Sequence, residues 1–164
     1  MTCLFELSIA LLITLLNGFF VMAEYSLVRI RKSRLDELIR QGKSRANTVL
    51  KMSEKLDTYL SATQLGITAS SLLLGWFGGP LLAEMFRGMF GVSAGTWYDH
   101  SLVFACAFLI IVFLHVVFGE LVPRTIALGK VEQVAMAVAY PLVFFHYLLY
   151  PVSYTHLTLP TIRL

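Results

Sequence analysis

Three short clusters of oxygen-bearing residues interrupt otherwise apolar runs of this sequence. The first is Asn17-Gly-Phe-Phe-Val-Met-Ala-Glu24-Tyr-Ser26, in which Asn17 and Glu24 share a helix face. The second is Thr63-Gln-Leu-Gly66-Ile-Thr-Ala-Ser70-Ser71. Thr63, Gly66 and Ser70 lie on one face at helical spacing, and Gly66 with Ser70 forms a small-xxx-small pair that permits close helix approach. The third is His115 followed by Gly119-Glu120-Leu121-Val122-Pro123-Arg124. Pro123 has no amide hydrogen, so a helix broken there leaves the carbonyls of Gly119 and Phe118 short of donors. Unwound backbone beside a carboxylate is a way membrane proteins hold cations. A set of carboxylate, hydroxyls and freed carbonyls suits a hard ion such as Mg2+ or Ca2+ and disfavours zinc or copper.

Each cluster also has a plainer reading. Serine and threonine in a membrane helix bond their own backbone, and glycines serve packing. Glu24 has Arg29 and Arg31 within reach as partners. Arg124 stands four positions from Glu120, but beyond Pro123, where it is expected to extend to the interface instead. Five α-helical positions place His115 and Glu120 about 140° apart, which argues against their acting together in hydrolysis. His115 and His146 are otherwise isolated, and Cys3 and Cys106 give no metal spacing or disulfide framework. With no nucleotide loop and no triad pattern, no enzymatic chemistry is expected.

The elements that position these groups follow from hydropathy. The chain is 57% hydrophobic and 14% charged, against about 25% charged in soluble domains. Leu7–Ala23, Leu60–Ala83, Leu102–Gly119 and Val134–Val152 contain no Asp, Glu, Lys or Arg. Such stretches approach the roughly 20 residues that cross a bilayer, and in lipid they must be helical to satisfy their own backbone. Met1 to Leu7 has no basic residue and contains Glu6, so the first stretch reads as a retained span and not a signal peptide. The fourth carries Pro141 and ends at Pro151. It is expected to kink, although hydropathy alone favours crossing.

Nine of the 13 Lys and Arg residues fall between Arg29 and Lys55. Basic loops stay in the cytoplasm. The amino terminus is therefore expected outside, as is the loop Gly91–His100 with Trp97 and Tyr98 as interfacial anchors, while Arg124 and Lys130 lie inside. Leu35, Leu38 and Ile39, then Val49, Met52, Leu56 and Tyr59–Leu60, repeat at helical spacing on either side of Gly42. They predict two short amphipathic helices at about 31–58, on the inner membrane surface, with a basic face toward anionic lipid. Asp36, Glu37, Glu54 and Asp57 dilute the charge, which disfavours nucleic acid as a partner. Ser153–Leu164 lacks periodicity and resembles a translated sequencing-adapter tail, so residues 153–164 are expected to be non-native.

The three clusters, read as Asn17-Gly-Phe-Phe-Val-Met-Ala-Glu24-Tyr-Ser26-Leu-Val, Ala62-Thr-Gln-Leu-Gly66-Ile-Thr-Ala-Ser70-Ser71-Leu-Leu-Leu-Gly75 and His115-Val-Val-Phe-Gly119-Glu120-Leu-Val-Pro123-Arg124, resemble the signature segments of the CNNM/CorC transmembrane domain. Arg31-Lys-Ser-Arg-Leu-Asp-Glu-Leu resembles its juxtamembrane stretch. The resemblance covers Leu4 to about Val152, so a domain over 1–152 is expected. It implies an all-α membrane protein of three spans, short juxtamembrane helices and a fourth apolar helix lying belt-like at the cytoplasmic face. It further implies a homodimer in the cell membrane that transports or extrudes Mg2+, with Na+ as a possible coupling ion. The alternative is a Mg2+-binding sensor or scaffold without transport of its own. A cytoplasmic carboxyl terminus leading into CBS domains is implied for the parent protein. By motif position the metal ligands would be Ser26, Ser70, Ser71 and Glu120, with Asn17 and Glu24 secondary and Gly119 and Pro123 forming the helix break. Arg124 departs from the usual Lys but keeps the charge. The Gln64-Leu-Gly-Ile form of the second segment departs further and bears on the ligands around Ser70.

Overall fold

Long helices propagate through the apolar stretches, even across Gly66, Gly75, Gly78, Gly79 and Pro80 in the second and Pro141 in the fourth, because lipid leaves the backbone no other hydrogen-bond partners. A computed structural model describes residues 2–90 and 97–157, with side chains left out toward the ends of these ranges, and all of its described elements are helical. α1 spans Thr2–Arg29, α2 Lys32–Arg40, α3 Ser44–Glu54 and α4 Leu56–Phe90. After residues 91–96, α5 spans Trp97–Leu114 and passes into a π-helical segment, His115–Leu121. α6 (Val122–Gly129) and α7 (Val131–Leu157) complete the order. The expected external loop lies largely outside the described residues.

Leu7–Arg29, Phe108–Gly129 and Val131–Leu148 are long and apolar enough to cross a membrane. This trio includes the fourth apolar stretch. The second lies in α4, whose 35 residues extend about 52 Å at 1.5 Å each, with side chains described only to Gly78. α7 runs as one helix through Pro141 and past Pro151 to Leu157, into the segment expected to be foreign. Leu11, Leu15, Trp76, Phe113, Phe118 and Phe144 are all exposed. An outward apolar surface of this extent belongs in lipid.

The chain divides into two compact units. The first comprises Met1–Gly18 with Ile67–Pro123. Ile13, Leu74 and Ile111 form its buried apolar cluster, with Ile9 and Ala10 against it. Gly78 packs closely there: a Cβ would come 1.9 Å from Ile111 Cδ1, so the end of that side chain would have to shift.

The second unit comprises Phe19–Gly66 with Arg124–Leu164. α2 ends in a left-handed Gly42 at φ 80°. The Gly42 amide donates to Ile39 O at 2.9 Å and the Lys43 amide to Leu38 O at 3.1 Å, the Schellman pattern that turns the chain into α3. Leu35, Leu38, Ala46, Val49 and Met52 are buried, and α3 packs on α7. The apolar faces of the two short helices are thus covered by protein. Ala135, Val138, Ala139 and Leu142 of α7 are buried in the same unit and give these helices an apolar surface within the chain. Arg34 fixes α2 to the start of α7 through a fork to Glu132, Nε to Oε1 at 2.6 Å and Nη2 to Oε2 at 3.2 Å. It also pairs with Glu37. These carboxylates, Glu132 foremost, push the Arg34 pKa further above its ordinary value.

Candidate cation site

In the first unit, α1, α4 and the π-helical segment bring five of the expected residues, Asn17, Ser70, Ser71, Gly119 and Glu120, into one polar network. Asn17 is 0% exposed and Ser70 1%. Asn17 Nδ2 donates to Gly119 O at 3.0 Å, and Ser70 Oγ donates to Asn17 Oδ1 at 2.8 Å. The amide therefore engages a partner at each end and ties α1 to both α4 and the π-helical segment. This is a clamp first, although Asn17 was expected only as a secondary ligand. Ser70 and Ser71 hydroxyls also lie 3.0 and 2.8 Å from Ile67 O, the ordinary back-bond of a helical serine.

The helix break expected at Gly119 and Pro123 takes another form. The backbone does not unwind; it widens, with the Val122 amide donating to Val117 O five residues back. Pro123 has no amide to offer, and Gly119 O accepts the Asn17 side chain. π-helical turns are rare and concentrate at functional sites. Close packing holds the turn in place. A Cβ on Gly18 would come 2.9 Å from Pro123 Cγ, and one on Gly119 would come 3.0 Å from His115 Nδ1 and 3.1 Å from Asn17 Nδ2.

The wide turn overturns the angular argument that separated His115 from Glu120. With i to i+5 bonding, residues five apart come to the same side. His115 Nε2 stands 3.7 Å from Glu120 Oε1 and 3.2 Å from Ser71 Oγ. His115 is the residue that sequence reasoning missed; only its distance of five from Glu120, together with a proline able to shift the hydrogen-bond register, hinted at it. Ser71 and Glu120 both face Nε2, and Nδ1 is buried without a hydrogen-bond partner.

Ser26 and Glu24 belong to the second unit. Ser26 is fully buried and donates to Ala23 O at 3.1 Å. The Glu24 carboxylate accepts a hydrogen bond from the Gln64 side chain. The Arg124 guanidinium lies 4.6 Å from the Tyr25 ring centre, a cation–π contact.

Among the described residues no three His, Cys, Asp or Glu side chains gather to hold a metal. The first unit instead offers Ser70 Oγ, Ser71 Oγ, Gly119 O and the Glu120 carboxylate. Both hydroxyls have carbonyl or amide acceptors for their hydrogens. One carboxylate with neutral oxygens fits a hard cation that keeps part of its water, as Mg2+ does.

Fold and site together define an all-α integral membrane domain with a buried polar network among its apolar helices. Residues 7–162 match the cyclin M transmembrane N-terminal domain, and the chain belongs to that family. It is 42% identical over 137 residues to the UPF0053 protein YugS of Bacillus subtilis, covering 83% of this chain and 32% of that protein. The UPF0053 protein YhdT of the same organism is 43% identical over 137 residues, 83% and 30% of the two chains. The uncharacterized protein Rv1841c of Mycobacterium tuberculosis is 41% identical over 133 residues, 81% and 38%. The chain spans about a third of the length of these relatives. The family match runs past Ser153.

Proposed function

We propose that this chain is the membrane domain of a Mg2+ transporter or exporter, with Mg2+ as cargo. The observation that carries the reading is the π-helical segment, where Gly119 O and the Glu120 carboxylate stand with Ser70 and Ser71. A carboxylate at membrane depth costs at least ~2.5 kcal/mol on insertion scales unless partnered. His115 Nε2 stands 3.7 Å away, beyond hydrogen-bond distance, and a cation is a strong partner. Ser26, which belongs to the second unit, is carried as a proposed ligand on the family resemblance alone. Na+ is the proposed coupling ion. The working protein is proposed as a homodimer of the cell membrane, its amino terminus outside, with cytosolic CBS domains in the longer parent.

The test is Glu120→Gln, which keeps shape and removes charge. Thermal melts of the purified chain in detergent, with and without Mg2+, should show Mg2+-dependent stabilisation in the parent sequence and none in the variant. Mg2+ flux into proteoliposomes carrying the full-length parent should fall to background. If Glu120→Gln is stabilised by Mg2+ as before, the site is elsewhere. If Mg2+ binds but no flux occurs, the domain is a sensor or scaffold.

A further inference from the structure

We propose that His115 is a positioning residue of the cation site, a neutral Nε2–H donor that fixes which lone pair of Ser71 remains for the ion and whose ring stands against the Glu120 carboxylate. The inference rests on the cation-site reading above and concerns a residue which that reading leaves without a role.

The proton assignment follows from counting donors. Ser71 Oγ has one hydrogen, and its shorter contact is Ile67 O at 2.8 Å. The 3.2 Å approach of His115 Nε2 to the same oxygen is then a hydrogen bond from the ring to the hydroxyl. The opposite tautomer places its hydrogen on Nδ1, which is buried without an acceptor. A buried N–H without a partner is rarer and costlier than an unused lone pair. The ring therefore carries its hydrogen on Nε2, on the side of Ser71 and Glu120.

This fixes the oxygens. Ser71 Oγ gives its hydrogen to Ile67 O, accepts one from His115, and keeps one lone pair in a set direction. Glu120 is half-exposed, and the ring edge facing Oε1 limits where its carboxylate swings. Gly119 completes the arrangement. The missing Cβ that opens its carbonyl to Asn17 also admits the ring, since an added Cβ would stand 3.0 Å from Nδ1 and 3.2 Å from Cε1. Groups that orient ligands without touching the metal typically change metal affinity 10- to 100-fold when removed.

The experiment measures Mg2+ dissociation constants by titration of the purified chain in detergent for the parent sequence, His115→Ala, His115→Gln, Ser71→Ala and His115→Ala with Ser71→Ala. The Gln amide can present an N–H near the position of Nε2 and does not titrate. The expected result is at least tenfold weaker binding for His115→Ala, recovery to within about threefold for His115→Gln, and a double variant no weaker than the weaker single one. Melting without Mg2+ separates this from a general loss of fold, which would not be rescued selectively by Gln. Binding by His115→Ala within twofold of the parent, or equally weak binding by Ala and Gln variants that melt as the parent does, overturns the proposal. Should His115→Ala fail to fold, His115→Gln against Ser71→Ala decides it: Gln near the parent supports a donor role, and Gln as weak as Ser71→Ala refutes it. Glu120→Gln run in parallel keeps the two readings apart. If it binds Mg2+ normally, the cation site itself fails; if it loses Mg2+ while His115→Ala does not, only the role of His115 fails.

Discussion

Asn17 separates a clamp from a ligand most directly. Replacement by Ala removes two buried interhelical hydrogen bonds, to Gly119 O at 3.0 Å and from Ser70 Oγ at 2.8 Å. Ser70 keeps Ile67 O as an acceptor, but the Gly119 carbonyl loses its side-chain donor beside a proline that has none to give. Interhelical hydrogen bonds in membranes are worth about 0.6 kcal/mol on average and about 1.7 at most. Two such bonds plus the vacated volume at a site 0% exposed come to about 2 kcal/mol. At about 2–4 °C per kcal/mol for a domain of this size, the melting temperature falls by about 4–8 °C. The assay is thermal denaturation in detergent with a Mg2+ titration at each step. A clamp predicts a lower melting temperature without the ion and a Mg2+-dependent rise that survives at saturation. Unchanged melting without Mg2+ together with complete loss of the rise would make Asn17 a ligand and refute the clamp.

Two further outcomes are expected. In the second unit, a Cβ on Gly66 would lie 2.7 Å from three atoms of the Phe20 ring; the ring is rigid and packs edge-on to Phe145 at 5.1 Å. Gly66→Ala should therefore cost about 1–3 kcal/mol of stability, with partial recovery on adding Phe20→Ala, and a melt unchanged from the parent would count against this close approach. In a background lacking Cys3 and Cys106, a Lys43→Cys probe should react with impermeant maleimide only from the cytoplasmic side; labelling from outside reverses the proposed orientation.

The sequence revealed helices, amphipathic faces and polar clusters because these depend on spacing along one helix. Leu35, Leu38, Val49 and Met52 were legible as one-sided, and all four are buried. What covers them was not legible, since α7 is equally apolar by composition and the choice between lipid and protein depends on how the chain returns. The clusters around Asn17, Ser70 and Glu120 were legible as polar residues in apolar surroundings. Their division of labour was not. Only the hydrogen bonds show Asn17 spent on Ser70 and Gly119. His115 was misjudged for a definite reason: the 100° step of an α-helix was applied to a segment that is π-helical. Pro123 signals a disturbance in hydrogen bonding, but a proline is compatible with an unwound stretch, a kink or a widened turn.

Charge then limits the ion the site can hold. In the first unit Glu120 is the single carboxylate of the network, and Ser70, Ser71, Gly119, Asn17 and His115 are neutral as assigned. A divalent ion there leaves one positive charge uncompensated at membrane depth, which is expensive. Mg2+ relieves that cost by retaining several of its waters, which it gives up reluctantly in any case. A monovalent cation in the same place is neutralised by Glu120 alone. Exchange of a hydrated dication for a monovalent ion at one carboxylate thus needs no change in the protein's own charge, only a change in how much water enters. The π-helical turn suits this, because it presents a carbonyl and a carboxylate from adjacent residues, Gly119 and Glu120, while neighbouring side chains hold the backbone that bears them. The proposed Na+ coupling and the proposed partial hydration would, on this argument, both follow from one count of charges.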